Sequence, residues 1–189
     1  LYGGFAMKIL LLGGSKSGKS GLAQCLARNL AGTKALYYWA TMEPSDAEDQ
    51  ARIRRHLRER AGWGFQTVEQ GRDLPRALHG LDGSGTVLLD SVTALLANEM
   101  FGPEVDLDAP KRVTRDLLQL GNSVANLVCV CDDLFRDVGR YDPMTEGYRR
   151  GLAQICRSLA SEFDVTGEVL LGKPKAYRGK AQLQEAWKR

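Results

Sequence analysis

At 189 residues, with 43% apolar and 26% charged side chains, the chain has the size and balance of one soluble globular domain and not of a disordered tail. A net charge of +3 argues against a dedicated nucleic-acid binder, so any case for an anionic ligand has to come from local clusters of basic residues. No apolar run reaches bilayer length, and the four cysteines (Cys25, Cys129, Cys131, Cys156) lack both zinc-ribbon spacing and a disulfide pattern; a cytoplasmic, reducing setting without membrane insertion is expected.

Residues 1–6, "LYGGFA", precede Met7 and an immediate strand, and are expected to be a leader or start-site remnant outside the fold. "MKILLLGG" then reads as a buried strand, and "KSGLAQCLARNLAG" as a helix with a glycine stop. "KALYYWAT" is a second strand. From Ser45, an N-cap candidate, "SDAEDQARIRRHLRER" has early acids and late arginines, which suits a helix macrodipole. "TVLLD" is a third strand that runs into the helix "SVTALLANEMF".

Beyond a Pro/Gly/Asp-rich break come the helix "PKRVTRDLLQLGNSVA" and a fourth strand, "NLVCVCDD", in which Cys129 and Cys131 share one face as small apolar core residues. "FRDVGRYDP" reads as a loop, "MTEGYRRGLAQICRSLASEF" as a helix and "GEVLLG" as a last strand. Strands alternating with helices predict a single α/β domain with a largely parallel sheet flanked by helices, spanning 7–172. Residues 173–189 are expected to form a basic tail with a short amphipathic piece carrying Leu183 and Trp187.

The segment Gly13, Gly14, Ser15, Lys16, Ser17, Gly18, Lys19, Ser20 fits G-x-x-x-x-G-K-[ST] and stands between a predicted strand and a predicted helix, the context this motif requires. Its glycines let backbone N–H groups turn toward phosphate oxygens, and the following helix adds its positive end. Lys19 is expected to reach the β- and γ-phosphates of a nucleoside triphosphate, with the Ser20 hydroxyl on Mg²⁺. A second Mg²⁺ ligand should be an acid at the end of a neighbouring apolar strand. Asp90 is the first choice, because its strand runs straight into a helix; Asp132 or Asp133 is the alternative.

"EDQARIRRHLRERAGW" sets His56 among arginines. On a helix it shares a face with Arg52, Glu59 and Arg60, while Ile53 and Leu57 give only a narrow apolar stripe. Neighbouring guanidinium groups disfavour imidazolium, which keeps a histidine neutral and nucleophilic near pH 7, and they suit a triphosphate. Attack on an α-phosphate would give a histidine-linked nucleotide. A solvated basic helix face accounts for the same residues. His79, in "ALHGLDGSG", has no partner pattern and reads as surface.

In order and spacing, "GGSKSGKS", "YYWATMEPSDAEDQARIRRHLRER", "GFQTVE", "VLLDSVTALLANEMF" and "GEVLLG" together resemble the bifunctional adenosylcobinamide kinase/adenosylcobinamide-phosphate guanylyltransferase family of cobalamin biosynthesis, from about Met7 to Gly172. The resemblance implies a P-loop domain of RecA-like type, commonly trimeric, and two reactions. ATP or GTP phosphorylates the aminopropanol hydroxyl of adenosylcobinamide; GTP then guanylylates a histidine, and the GMP passes to adenosylcobinamide phosphate.

By the same resemblance, His56 is the GMP acceptor and Lys19 its catalytic companion at the phosphate loop. Nucleotide contacts carry over to Gly13 through Ser20, to Ala40, Thr41 and Met42, to Leu57, Arg58, Glu59 and Arg60, and to Glu69 and Asp90. The chain departs from the family where Asp132-Asp133 replaces a usual Asn-Glu pair, where Cys156 replaces an asparagine, and where Asp90 stands for a frequent glutamate. The added charge at Asp132 bears on the metal and on binding of a phosphorylated corrinoid. A P-loop kinase with one of the two activities, and a P-loop switch or binding protein that uses "IRRHLRER" as a partner surface, remain the alternatives.

Overall fold

The computed structural model describes residues 6–44 and 47–188; within these, the side chains of residues 48, 49, 52, 55, 56 and 59 lie outside the description. Ser45, the expected N-cap, also lies outside it.

Seven strands form one sheet: β1 (Met7–Gly13), β2 (Leu36–Ala40), β3 (Gln66–Glu69), β4 (Thr86–Asp90), β5 (Asn126–Asp132), β6 (Val165–Leu170) and β7 (Lys173–Arg178). Their order is β3-β2-β4-β5-β1-β6-β7, and every neighbouring pair is parallel except β6 with β7. The helices are α1 (Lys19–Ala31), α2 (Ala47–Glu59), α3 (Val92–Met100), α4 (Ala109–Ser123), α5 (Pro143–Glu162) and α6 (Lys180–Lys188). Among the described residues no helix is long and apolar enough to cross a membrane.

Strand alternation builds a core on each face of the sheet. Ile9, Leu11, Leu88, Val128 and Val130 face a layer made by Leu22, Leu26 and Leu30 of α1 with Leu183 and Ala186 of α6. Leu10, Trp39, Leu89, Cys129 and Cys131 face the other layer, made by α3, α4 and α5. Cys129 and Cys131 have no exposed surface, as small apolar core residues should. Cys156, also buried, sits with its Sγ 3.4 Å from that of Cys131. Its departure from the family residue is therefore an interior one.

Two strands exceed the sequence expectation. "QTVE" supplies β3, an edge strand of four residues whose mostly exposed side chains carry little apolar alternation. Residues 173–178, read from the sequence as tail, turn back at Leu171-Gly172 and pair antiparallel to β6. The basic side chains of this strand hid it, and edge strands tolerate such residues well. Helix α6 then packs on α1, and Asn29 Nδ2 donates to the carbonyls of Ala186 and Trp187 at 3.1 and 3.2 Å.

Asn126 ties three central strands at the end of the sheet away from the phosphate loop. Its Oδ1 accepts from the Met7 N–H at 3.1 Å, and its Nδ2 donates to Thr86 Oγ1 at 2.9 Å. Thr86 is fully buried. Asn126→Ala should cost about 1–3 kcal/mol, because it strips buried polar groups of their partner. A lower urea midpoint with an unchanged m value checks this.

Candidate active site

Parallel pairing brings the carboxyl ends of β1, β4 and β5 to one edge of the sheet, where open α/β sheets bind ligands. Gly13 is registered opposite Asp132, and Asp90 opposite Val130. β5 therefore lies between the phosphate-loop strand and the strand of Asp90, which puts β4 roughly 10 Å from β1. Asp90 and Asp132 continue the alternation of Leu88 and Val130, so both acids follow the α1 face of their strands.

The loop from Gly13 to Ser20 is a compact turn at the start of α1. Lys16 and Gly18 take φ of 58° and 90°. Such left-handed residues help aim successive N–H groups into one concavity. Gly13 admits no side chain, since a Cβ there would lie 2.6 Å from Ser17 Oγ and 2.8 Å from the Val169 carbonyl. Gly14, Ser15 and Lys16 are exposed, and Ser20 is half-buried. The Lys19 ammonium donates to the Gly14 carbonyl at 3.1 Å and pairs with Asp132 Oδ1 at 2.6 Å. The lysine of the phosphate loop is thus tied to the acid at the end of β5, whose own N–H is fixed by Thr93 Oγ1 at 2.7 Å.

Asp90, the first-choice metal ligand, accepts from the Tyr38 hydroxyl at 2.8 Å through Oδ2. The Arg60 guanidinium lies over the Tyr38 ring, 3.5 Å from its centroid. Tyr38 and Asp90 with Ile53, Leu57 and Arg60 line a cleft beneath α2. This cleft adjoins a larger one of about 650 Å³, and Ala40, Met42, Ile53 and Glu69 border both. The sequence-expected residues Ala40, Met42, Leu57, Arg60, Glu69 and Asp90 are therefore gathered in one region, whereas exposed Arg58 lines neither cleft.

Thr41 is an interior residue. It has no exposed surface, and its hydroxyl donates to the Ser91 carbonyl at 2.8 Å and accepts from the Ser91 N–H at 2.7 Å. Its backbone carbonyl is held by Asn98 Nδ2 at 2.7 Å. Thr41 fixes the chain at Asp90-Ser91 from within. His56 and Glu59 fall within the span of α2, and their side chains lie outside the described residues. His79 is exposed.

Asp133 turns away from Lys19. Its Oδ2 pairs with Arg136 Nε at 2.9 Å, and Arg136 continues to Glu168 Oε1 on β6 at 2.6 Å. Burial pushes its carboxyl above the ordinary carboxylate range, while Arg136 pulls it back down. Sequence reasoning weighed Asp132 and Asp133 as equivalent metal alternatives; the structure separates them. It also missed Tyr38 and Asn98. Both lie within the blocks that carry the family resemblance, Tyr38 in "YYWATM" and Asn98 in "VLLDSVTALLANEMF", but their local spacing gives neither a role, and only the register of β2 with β4 brings Tyr38 near Asp90.

The fold and the loop define a single α/β domain of the RecA-like P-loop class. Two solved structures show the same architecture, each 12% identical to the chain. The flagellar accessory protein FlaH from Methanocaldococcus jannaschii matches with a TM-score of 0.52 over 92% of this chain and 79% of its own. The second, an ATPase domain, matches with a TM-score of 0.50 over 86% of this chain and 69% of its own. A comparison with curated proteins finds no significant match. The profile of the cobinamide kinase / cobinamide phosphate guanyltransferase family matches residues 9–176, and the chain belongs to that family. It is a transferase of cobalamin biosynthesis.

Asp132, paired with Lys19, would compete with and repel a phosphate brought to that lysine. Asp132→Asn should therefore tighten ATP binding by roughly threefold to tenfold, the scale of a partly exposed ion pair. Titration calorimetry without acceptor measures this; weaker binding would mean that the pair preorganises the loop.

Proposed function

We propose that the chain phosphorylates the aminopropanol hydroxyl of adenosylcobinamide with ATP or GTP. It then transfers GMP from GTP, through a His56-linked intermediate, to the phosphorylated product, giving adenosylcobinamide-GDP. The observation that carries this reading is the family match over 9–176, within which the α2 cleft opens onto Asp90 at the same sheet edge as the phosphate loop.

In the first reaction the loop N–H groups and the start of α1 hold the phosphates, and Lys19 leaves Asp132 to neutralise charge on the β- and γ-oxygens. The acceptor oxygen bonds to the γ-phosphorus as the β–γ bridging bond breaks, and the hydroxyl proton is lost. Mg²⁺ fits the residues present: Ser20 and Asp90 offer hard oxygen donors. Among the described residues no three His, Cys, Asp or Glu side chains converge as a cage, which suits an ion that is shared with substrate phosphates. Once bound, it would neutralise charge on the phosphate oxygens, held by Ser20 and Asp90.

In the second reaction a neutral imidazole nitrogen of His56 attacks the α-phosphorus of GTP, and pyrophosphate departs with the bond electrons. The phosphate oxygen of the acceptor then attacks the same phosphorus and the P–N bond breaks, returning the histidine. Helical spacing sets position 56 within one turn of Ile53 and Arg60, both of which line the cleft. In this reading Arg60, whose guanidinium lies over Tyr38, would neutralise phosphate charge beside Asp90. Homotrimeric assembly, which rests on family resemblance, and a cytoplasmic setting, which rests on the cysteine pattern, belong to the same proposal.

Label position tests it. α-Labelled GTP should give acid-labile, base-stable protein label, and γ-labelled GTP none; His56→Ala should lose the label and retain phosphorylation of adenosylcobinamide. Label that survives His56→Ala overturns the covalent route, and hydrolysis with no transfer to adenosylcobinamide would favour a switch protein. Lys19→Ala should lower the kinase rate at least 100-fold, on the order of ~3 kcal/mol of lost transition-state stabilisation.

A further inference from the structure

The two flanks of the phosphate loop differ. On one, the Gly172 N–H donates to the Ser17 carbonyl at 2.7 Å, so the tip of the β6–β7 hairpin closes that side. On the other, the chain that follows β5 begins against the loop itself. The Asp133 N–H donates to the Gly13 carbonyl at 3.2 Å, one residue after Asp132 meets Lys19. From there residues 134–142 run to the start of α5. This connection leaves the same carboxyl edge of the sheet that carries Asp90 and the α2 cleft.

The connection is held in shape, yet it leaves most of its apolar side chains in water. Arg149 of α5 donates from Nε to the Leu134 carbonyl at 3.0 Å and from Nη2 to the Asp137 carbonyl, and its guanidinium lies over the Tyr141 ring, 4.6 Å from the centroid. The Asp137 carboxylate accepts from the Gly139 N–H at 3.1 Å and from the Tyr141 hydroxyl. Asp142 caps α5, accepting from the N–H groups of Met144 and Thr145 at 2.9 and 3.1 Å. On this fixed backbone Leu134 and Tyr141 are 41% exposed, Met144 51% and Val138 97%. Tyr148, one turn after Met144, donates to the Thr93 carbonyl at 2.8 Å and packs on exposed Phe101 with ring centroids 5.7 Å apart. Thr93 also holds the Asp132 N–H, so the apolar surface and the acid beside Lys19 are built on the same residue. Exposed apolar side chains gathered beside a reaction centre mark a binding surface.

We infer that residues 134–144 form the acceptor subsite, where the corrinoid macrocycle lies against Leu134, Val138, Tyr141 and Met144 and its hydroxyl arm reaches the terminal phosphate at Lys19. The inference rests on the proposed activity, with adenosylcobinamide as the acceptor. A corrinoid is a broad, largely apolar ring fringed with amides, so it calls for an extended apolar face with polar groups at the margin. Arg140, exposed within the same connection, supplies guanidinium donors for amide carbonyls. β5 stands between β1 and β4, so an acceptor held by the connection after it borders both the phosphate loop and Asp90, the places assigned to the two reactions.

Equilibrium dialysis of adenosylcobinamide against the full chain, followed by corrin absorbance, tests this together with steady-state kinetics of the first reaction. Val138→Ser combined with Met144→Gln should raise the Kd and the KM for adenosylcobinamide by roughly fivefold or more, the loss expected when two apolar contacts go. ATP affinity and kcat should stay within about twofold of the wild type. Both side chains are exposed, so the urea midpoint should not move. The conservative pair Val138→Ile and Met144→Leu should keep wild-type values. Unchanged adenosylcobinamide affinity in the Ser/Gln variant overturns the inference, and a shifted sedimentation coefficient alongside it would assign the surface to contacts between copies of the chain. An equal loss of ATP affinity overturns it too. A wild type that neither binds nor phosphorylates adenosylcobinamide overturns the proposed activity and the subsite with it.

Discussion

The parallel pairing of β1 with β5, from Met7 opposite Asn126 to Gly13 opposite Asp132, is the constraint from which the rest of the site follows. It sets the acid that ends β5 against the lysine that opens α1 and holds β4 one strand further away. A slip of one residue would turn every side chain of β5 to the other face, exchanging Val128 and Val130 for Cys129 and Cys131 in the α1 layer. Asp132 would then leave the face of the phosphate loop. Two buried layers hold the register, and Asn126 fastens it at the far end.

Two chemistries share the sheet edge built in this way. The phosphate loop concentrates positive backbone and Lys19 at β1, and Asp132 pairs with that lysine. Asp90, bonded to Tyr38 beneath the Arg60 guanidinium, belongs at once to the loop side and to the cleft under α2. The Thr41 hydroxyl bonds both the N–H and the carbonyl of Ser91, and Asn98 Nδ2 in turn holds the Thr41 carbonyl. The hairpin tip closes the opposite flank of the loop, and the Asp133–Arg136–Glu168 chain ties it to the end of β5. Asp132 and Asp133, adjacent in sequence, therefore serve different parts of the site.

Much of this was legible residue by residue. The apolar runs and their glycine or aspartate ends marked β1, β2, β4 and β5, because burial on both faces demands near-continuous hydrophobic strands. The phosphate loop was legible because its chemistry is local, a turn of backbone N–H groups whose glycines are required by the turn itself. β3 and β7 were not, since an exposed edge strand carries little hydrophobic pattern and takes its pairing from its neighbour. Thr41 shows a second limit: its place in "ATM" gave no sign that its side chain sits fully inside, bonded to Ser91.

By itself, then, the sequence determined an α/β domain with a phosphate loop at its first strand, and its ordered motifs pointed to the cobinamide kinase and guanyltransferase family. Local periodicity and local turn chemistry suffice for that. Only the tertiary structure decided which acid faces Lys19, what Tyr38 and Asn98 bond to, and that the basic C-terminal residues form a strand and a helix packed on α1. Those outcomes depend on strand order and register, contacts between residues far apart in the chain that no local spacing encodes.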